Sequence, residues 1–110
     1  MTDKIVVFSS CANAADAEVI ARALVERQLA ACVTVVGHAT SFYQWKGALE
    51  KSAECLLLIK TSRECFAELK TEMEKIHPYE VPEILALQVV EGSENYLNWM
   101  DLNLRAAGRQ

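Results

Sequence analysis

ACVTVVGHATSFYQWKGALEKSAECLLLIKT, residues 31–61, is the stretch whose reading decides the fold. Ala31-Cys32-Val33-Thr34-Val35-Val36 is rich in β-branched residues and reads as a strand. Gly37 interrupts it. Ser41-Phe42-Tyr43-Gln44-Trp45 resumes extended character, with Phe42 on one face and Tyr43 and Trp45 on the other. Lys46-Gly47-Ala48 is a turn signal, and Glu54 to Thr61 is a further strand. The segments therefore make a long hairpin. Fully extended, Ala31 to Trp45 would span roughly 50 Å, whereas a compact domain of this size has a radius of gyration of only ~13 Å. The hairpin must bend, with Gly37 as the natural place, or project beyond the domain body.

Working outward, Lys4-Ile5-Val6-Val7-Phe8-Ser9-Ser10 reads as a strand before the hairpin. Asn13 offers a helix N-cap, and Ala17, Ile20, Ala21, Leu24 and Leu29 follow a helical period, predicting a helix over 14–29. After the hairpin, Phe66, Leu69, Met73 and Ile76 mark the core face of a helix from Arg63 to Ile76. Pro78 stops it, because the residue before a proline is pushed out of the helical region. Ile84 to Val90 is a fourth strand. Gly92-Ser93 breaks the chain and caps a last amphipathic helix carrying Tyr96, Leu97, Met100 and Leu104, and 106–110 reads as a frayed tail. The order β-α-β-β-α-β plus a C-terminal helix predicts an α+β fold of the ferredoxin-like type, with an antiparallel sheet. Both core helices of that fold pack on one sheet face. Yet Cys55-Leu56-Leu57-Leu58-Ile59 is apolar on both faces, which predicts burial on both. An oligomer with sheets packed together would supply the missing cover.

Composition narrows the classes. The 110 residues suit one domain spanning 1–110, with 52% hydrophobic residues and a core that needs no staples. The longest apolar runs fall far short of the ~18–20 residues of a membrane span. No basic leader with a cleavage site is visible at the start, so a cytoplasmic location is expected. Net charge is −4 and no stretch is basic, which argues against nucleic acid as a partner. The cysteines at 11, 32, 55 and 65 contain no C-x-x-C pair, and Cys32 and Cys55, in apolar runs, read as buried and inert. No nucleophile elbow, H-E-x-x-H or phosphate-binding glycine loop is present, so an enzyme is not expected. His38, after Gly37, reads as a solvated loop residue.

The richest chemistry lies in His77-Pro78-Tyr79-Glu80-Val81-Pro82-Glu83. It holds one of two histidines, two carboxylates and both prolines. Three readings fit: a metal site, a stiff joint between helix and strand, and part of a subunit contact. As a joint, His77 would sit at the helix C-terminus, where a cation is favoured, with Glu83 paired either with it or with a lysine.

Five stretches, taken together, carry a family resemblance. They are Leu29-Ala30-Ala31-Cys32-Val33, Ser41-Phe42-Tyr43-Gln44-Trp45-Lys46-Gly47, Ile59-Lys60-Thr61, the His77–Glu83 stretch, and Gly92 with Tyr96 and Trp99. The chain resembles the CutA family of divalent-cation tolerance proteins over nearly its whole length. The resemblance implies a tight homotrimer similar in architecture to the PII signal proteins, cytoplasmic and linked to tolerance of copper and other divalent cations. It also implies a metal site made of a first-strand cysteine, histidine before Pro-Tyr, and the glutamate after the second proline. His77 and Glu83 match that pattern. Ile76 stands where a second histidine would be, and the cysteine position falls on Ser9, with Cys11 two residues further on. The candidate metal ligands are therefore His77, Glu83 and Cys11. Tyr43, Trp45 and Trp99 are the candidate interface residues. Three roles follow: a metal-responsive trimer, a PII-like trimer holding a small ligand between subunits, and a scaffold without a ligand.

Overall fold

The computed structural model describes residues 1–105, so the tail expected at 106–110 lies outside the described residues. Among the described residues the elements run β1 (Lys4–Cys11), α1 (Ala14–Glu26), β2 (Cys32–Trp45), β3 (Ala48–Ser62), α2 (Arg63–Ile76), β4 (Leu85–Gln88) and α3 (Glu94–Leu102). The strands form one antiparallel sheet in the order β2-β3-β1-β4, with the βαββαβ topology and extra C-terminal helix that the pattern predicts.

The hairpin both projects and bends. β2 and β3 pair from Cys32 opposite Lys60 to Trp45 opposite Ala48. The loop is only Lys46-Gly47, at φ 53° and 82°. Two left-handed residues in a two-residue loop match the twist of the flanking strands. The longest dimension of the molecule is 44 Å, close to the reach of these strands. Val36 faces Leu56 and Ala39 faces Glu54, so Gly37 and His38 together oppose Cys55. That is a β-bulge, which bends a strand and increases its twist. The sequence points to Gly37 for the bend, but His38 takes the left-handed φ of 62°. His38 is exposed as expected, yet it lies inside β2 rather than in a loop.

Period-two alternation builds the core. Ile5, Val7, Ser9 and Cys11 of β1 and Cys55, Leu57, Ile59 and Thr61 of β3 are buried on one sheet face. Ala17, Ile20 and Leu24 of α1 and Leu69 and Met73 of α2 cover them. The opposite face carries Val6, Phe8, Leu56 and Leu58, half-buried, with Val36, Leu85 and Leu87 exposed. One chain thus meets only half of the two-sided burial expected of β3. Cys32 also departs from expectation. It is half-buried because its rung, opposite Lys60, puts it on this open face, 3.7 Å from the Lys60 ammonium.

Local signals set the helix ends. Asn13 Oδ1 accepts the Asp16 N–H at 2.8 Å, capping α1. Periodicity predicts that helix to 29, but Gln28 turns left-handed at φ 58°. The N–H groups of Leu29 and Ala30 then fold back on the Leu24 carbonyl at 2.9 and 3.1 Å. Leu29 keeps its place in the core, and its carbonyl accepts the Thr61 hydroxyl at 2.6 Å. Met100 and Leu104 pack with Ala31 and Cys65, seating α3. Lys4, 3% exposed, joins Asp3 and Asp101 at 2.6 and 2.7 Å, pinning α3 to the start of β1.

The Ser9 hydroxyl is fully enclosed and has no partner among the described residues. A buried hydroxyl without a hydrogen bond costs about 1–3 kcal/mol. Ser9→Ala is therefore expected to raise stability by about 1 kcal/mol, the remainder being lost to the smaller side chain. Urea unfolding midpoints check this; a lower midpoint would mean the hydroxyl has a partner.

Candidate functional site

The segment after α2 is a latch before it is anything else. The His77 N–H closes α2 on the Met73 carbonyl at 2.8 Å, and its backbone then turns extended at φ −74°, ψ 132°, as a residue before proline must. This swings the ring into the protein, where His77 is 7% exposed. Nδ1 accepts the Tyr79 N–H at 3.1 Å. Nδ1 therefore carries no proton, and Nε2 donates to the Ser10 carbonyl at 2.8 Å. The Nε2 bond ties the end of α2 to the end of β1, and the Nδ1 bond folds the Tyr79 backbone onto the ring. The His77 and Tyr79 rings lie 4.9 Å apart, and the Tyr79 hydroxyl donates to Glu54 Oε2 at 2.6 Å. Glu54, on β3, is buried. Burial first, and then the hydrogen bond to Glu54 and its charge, push the Tyr79 phenol well above the ordinary tyrosine range.

A cleft of about 630 Å³ opens beside this latch, between the hairpin and residues 79–83. Its walls include Ser10, Tyr43, Trp45, Tyr79, Glu80 and Glu83. The Tyr43 hydroxyl lies 2.9 Å from Ser52 Oγ across the hairpin. Glu80 and Glu83 are exposed carboxylates.

The sequence profile of the CutA1 divalent ion tolerance proteins matches residues 5–103. The chain belongs to the CutA1 divalent ion tolerance family. It is 48% identical over 87 residues to the divalent-cation tolerance protein CutA of Thermus thermophilus, covering 79% of this chain and 84% of that one. It is 44% identical over 93 residues to protein CutA of Mus musculus, and there it spans only 52% of the relative's length against 84% of its own. Among solved structures, CutA from Xylella fastidiosa superposes with a TM-score of 0.92 at 39% identity, covering 94% of this chain and 100% of that one. A divalent cation tolerance protein CutA from Archaeoglobus fulgidus, described as periplasmic, gives 0.90 at 32% identity, covering 93% and 99%. No helix among the described residues is long and apolar enough to cross a membrane.

The candidate ligands of this CutA1 family member are distributed rather than gathered. Glu83 is exposed on the cleft wall. His77 has both ring nitrogens engaged, so it is not the cationic partner of Glu83 that the joint reading pictures. Cys11 is fully buried, and its thiol lies 3.5 Å from the Asn13 carbonyl. Burial raises its pKa, partly offset by that hydrogen bond, so the thiol stays protonated. Among the described residues no three His, Cys, Asp or Glu side chains converge on one point. His77, Cys11 and Glu83 thus do not fit a ready-made copper centre, which needs free imidazole and thiolate donors.

Of the aromatic candidates, Tyr43 and Trp45 lie in the cleft. Trp99 sits apart on α3, exposed and 5.4 Å from the Tyr96 ring. Sequence reasoning missed Glu54. The available signal was a carboxylate at the head of an apolar strand, a placement that calls for a buried donor.

Replacing Tyr79 by Phe leaves the buried Glu54 carboxylate without this donor. A loss of about 1.5–3 kcal/mol is expected, the range for hydrogen bonds to charged groups. The pH dependence has a definite sign. The folded phenol holds its proton beyond the unfolded value of 10.0. The unfolded chain then binds fewer protons, so stability is complete below that value and falls as pH rises above it. Denaturation at pH 8 through 11 should show that decline in the parent and a shallower one in Tyr79→Phe. Parallel curves would remove Tyr79 from the balance.

Proposed function

We propose that this chain is a divalent-cation tolerance protein that works as a non-catalytic homotrimer in the cytoplasm. Family membership supports the tolerance role. The open sheet face carries the assembly: Phe8, Leu56, Leu58, Leu85 and Leu87 form an apolar patch that helices leave uncovered. Contiguous apolar surface of this kind marks a protein contact. A PII-like trimer, with the three sheets turned inward, would bury it. Tyr43 and Trp45 near the hairpin tip, and Trp99 on α3, are amphipathic anchors of the type that interfaces enrich. In this reading cations reach the assembly weakly, through exposed oxygen donors such as Glu83. A copper role would need soft donors other than the committed His77 ring.

Sedimentation equilibrium is expected to give three times the 12.2 kDa chain mass. Phe8→Glu, which places a charge in the patch, should dissociate it. A monomer at micromolar concentration in the parent protein would overturn the assembly. Titration of reduced protein with Zn²⁺ and Cu²⁺ separates ligand from latch. Glu83→Gln should weaken binding and leave stability unchanged. His77→Ala should cost about 1–3 kcal/mol of stability by stranding the Ser10 carbonyl. Binding lost in His77→Ala at unchanged stability would make the ring a ligand after all. Cell fractionation checks the compartment, for which the relative described as periplasmic marks the alternative.

A second reading has one observation in its favour. The cleft's volume of about 630 Å³ is in the range of small-molecule sites. A PII-like trimer holding a ligand between subunits would use it, and a thermal-shift screen of nucleotides and small anions tests that reading. A screen that shifts nothing removes it.

A further inference from the structure

Cys11 and Cys55 are direct cross-strand partners on the last rung of the β1–β3 ladder. Opposite residues of an antiparallel pair share a face, with Cβ atoms about 4.5–5.5 Å apart. Both thiols are free, and the two residues are 0% and 8% exposed. The rung also lies where the ladder ends and the sheet is irregular. Cys11 is the last residue of β1, and on its other side Cys55 faces the Gly37–His38 bulge instead of a single partner. Bulges recur where a sheet re-aims a side chain.

From this geometry we propose that Cys11 and Cys55 form a two-coordinate seat for a soft monovalent d10 ion of the Cu(I) class. As the ion enters, both S–H protons leave to solvent and two thiolate–metal bonds form; nothing is oxidised. Two thiolate bonds of about 2.3 Å, the length known for zinc, would set the sulfurs about 4.6 Å apart in a straight bridge. That span suits the Cβ separation of a cross-strand pair. A disulfide would need the Cβ atoms drawn in to about 3.8 Å. Zinc needs four ligands, and no third His, Cys, Asp or Glu converges with the pair among the described residues. A soft monovalent ion accepts two thiolates alone, and thiolates are the ligands that select Cu(I). Burial keeps the Cys11 thiol protonated, which makes it slow toward oxidants, whereas metal binding itself drives the proton off. The pair lies next to the cleft: Ser10 and Glu54, the chain neighbours of the two cysteines, both line it. The seat lies wholly within one chain and does not depend on the proposed trimer or on Glu83.

The test is anaerobic titration of the full, reduced chain with Cu(I) in competition with a chromogenic Cu(I) chelator. One ion per chain is expected, with thiolate-to-copper absorption in the ultraviolet. Cys11→Ser and Cys55→Val should each abolish stoichiometric binding. Cys32→Ser and Cys65→Ala should retain it. Circular dichroism melts of each variant confirm the fold, and Cys55→Val keeps the core volume nearly constant. X-ray absorption of the loaded protein should show two sulfur neighbours and no nitrogen. Binding that survives loss of Cys11 or of Cys55 in a folded variant overturns the proposal. So does failure to compete with the chelator, or conversion of the pair to a disulfide that takes no copper.

Discussion

The molecule depends on β3 being hydrogen-bonded along both of its edges. β2 lies on one side and β1 on the other, so this strand of 15 residues carries the hairpin and the centre of the sheet together. Its alternation then sets everything nearby. Cys55, Leu57, Ile59 and Thr61 go under the helices, while Leu56 and Leu58 face outward. A one-residue slip would exchange those sets and expose the core, which is why the register is tightly specified. The irregularity at Gly37–His38 stays on β2, where an edge strand can absorb it without disturbing β1.

The polar groups follow from the same constraint. A helix that packs on the sheet must hand the chain back to β4 at the far edge, and the Pro78 and Pro82 segment makes that transfer. The His77 ring joins α2 to the end of β1 through Nε2 and holds the Tyr79 backbone through Nδ1, and the Tyr79 hydroxyl joins the segment to Glu54 on β3. Each of these bonds satisfies a group that burial would otherwise penalise. A ring so committed cannot also offer a lone pair to a metal without breaking a bond that holds the fold. The density of coordinating residues in this stretch is explained by structure, and metal chemistry has to be sought on groups the fold leaves free.

Much of this was legible in the sequence. Element order, the N-caps at Asn13 and Ser93, the stop at Pro78 and the hairpin turn at Lys46-Gly47 were readable because each rests on local chemistry. The open apolar face was readable because Cys55 to Ile59 breaks the alternation. What could not be read depends on distant partners. His77 looked like a ligand because sequence shows donor atoms but not the Ser10 carbonyl that occupies one of them. Cys32 looked buried because its run is apolar, whereas its exposure is decided by the rung opposite Lys60. Glu54 drew no notice because its partner lies 25 residues away. The end of α1 is misread because Leu29 is buried although it lies outside the helix, so the apolar period runs on past the left-handed turn at Gln28.

The donors that remain are sorted by hardness. Carboxylates of Glu80 and Glu83 stand at the cleft surface, in water, where oxygen ligands exchange divalent ions readily. The paired thiols of Cys11 and Cys55 stand behind the cleft wall, shielded from solvent and without a third ligand. Coordination number separates the ions there: in the proposed seat two thiolates complete the shell of a soft monovalent ion, whereas a zinc-like divalent ion would be left two ligands short. On the proposed readings, separation by depth would also be separation by coordination number and softness. The placement follows from the period of two in β1 and β3, which turns Ser10 and Glu54 toward the cleft and their neighbours Cys11 and Cys55 under the helices.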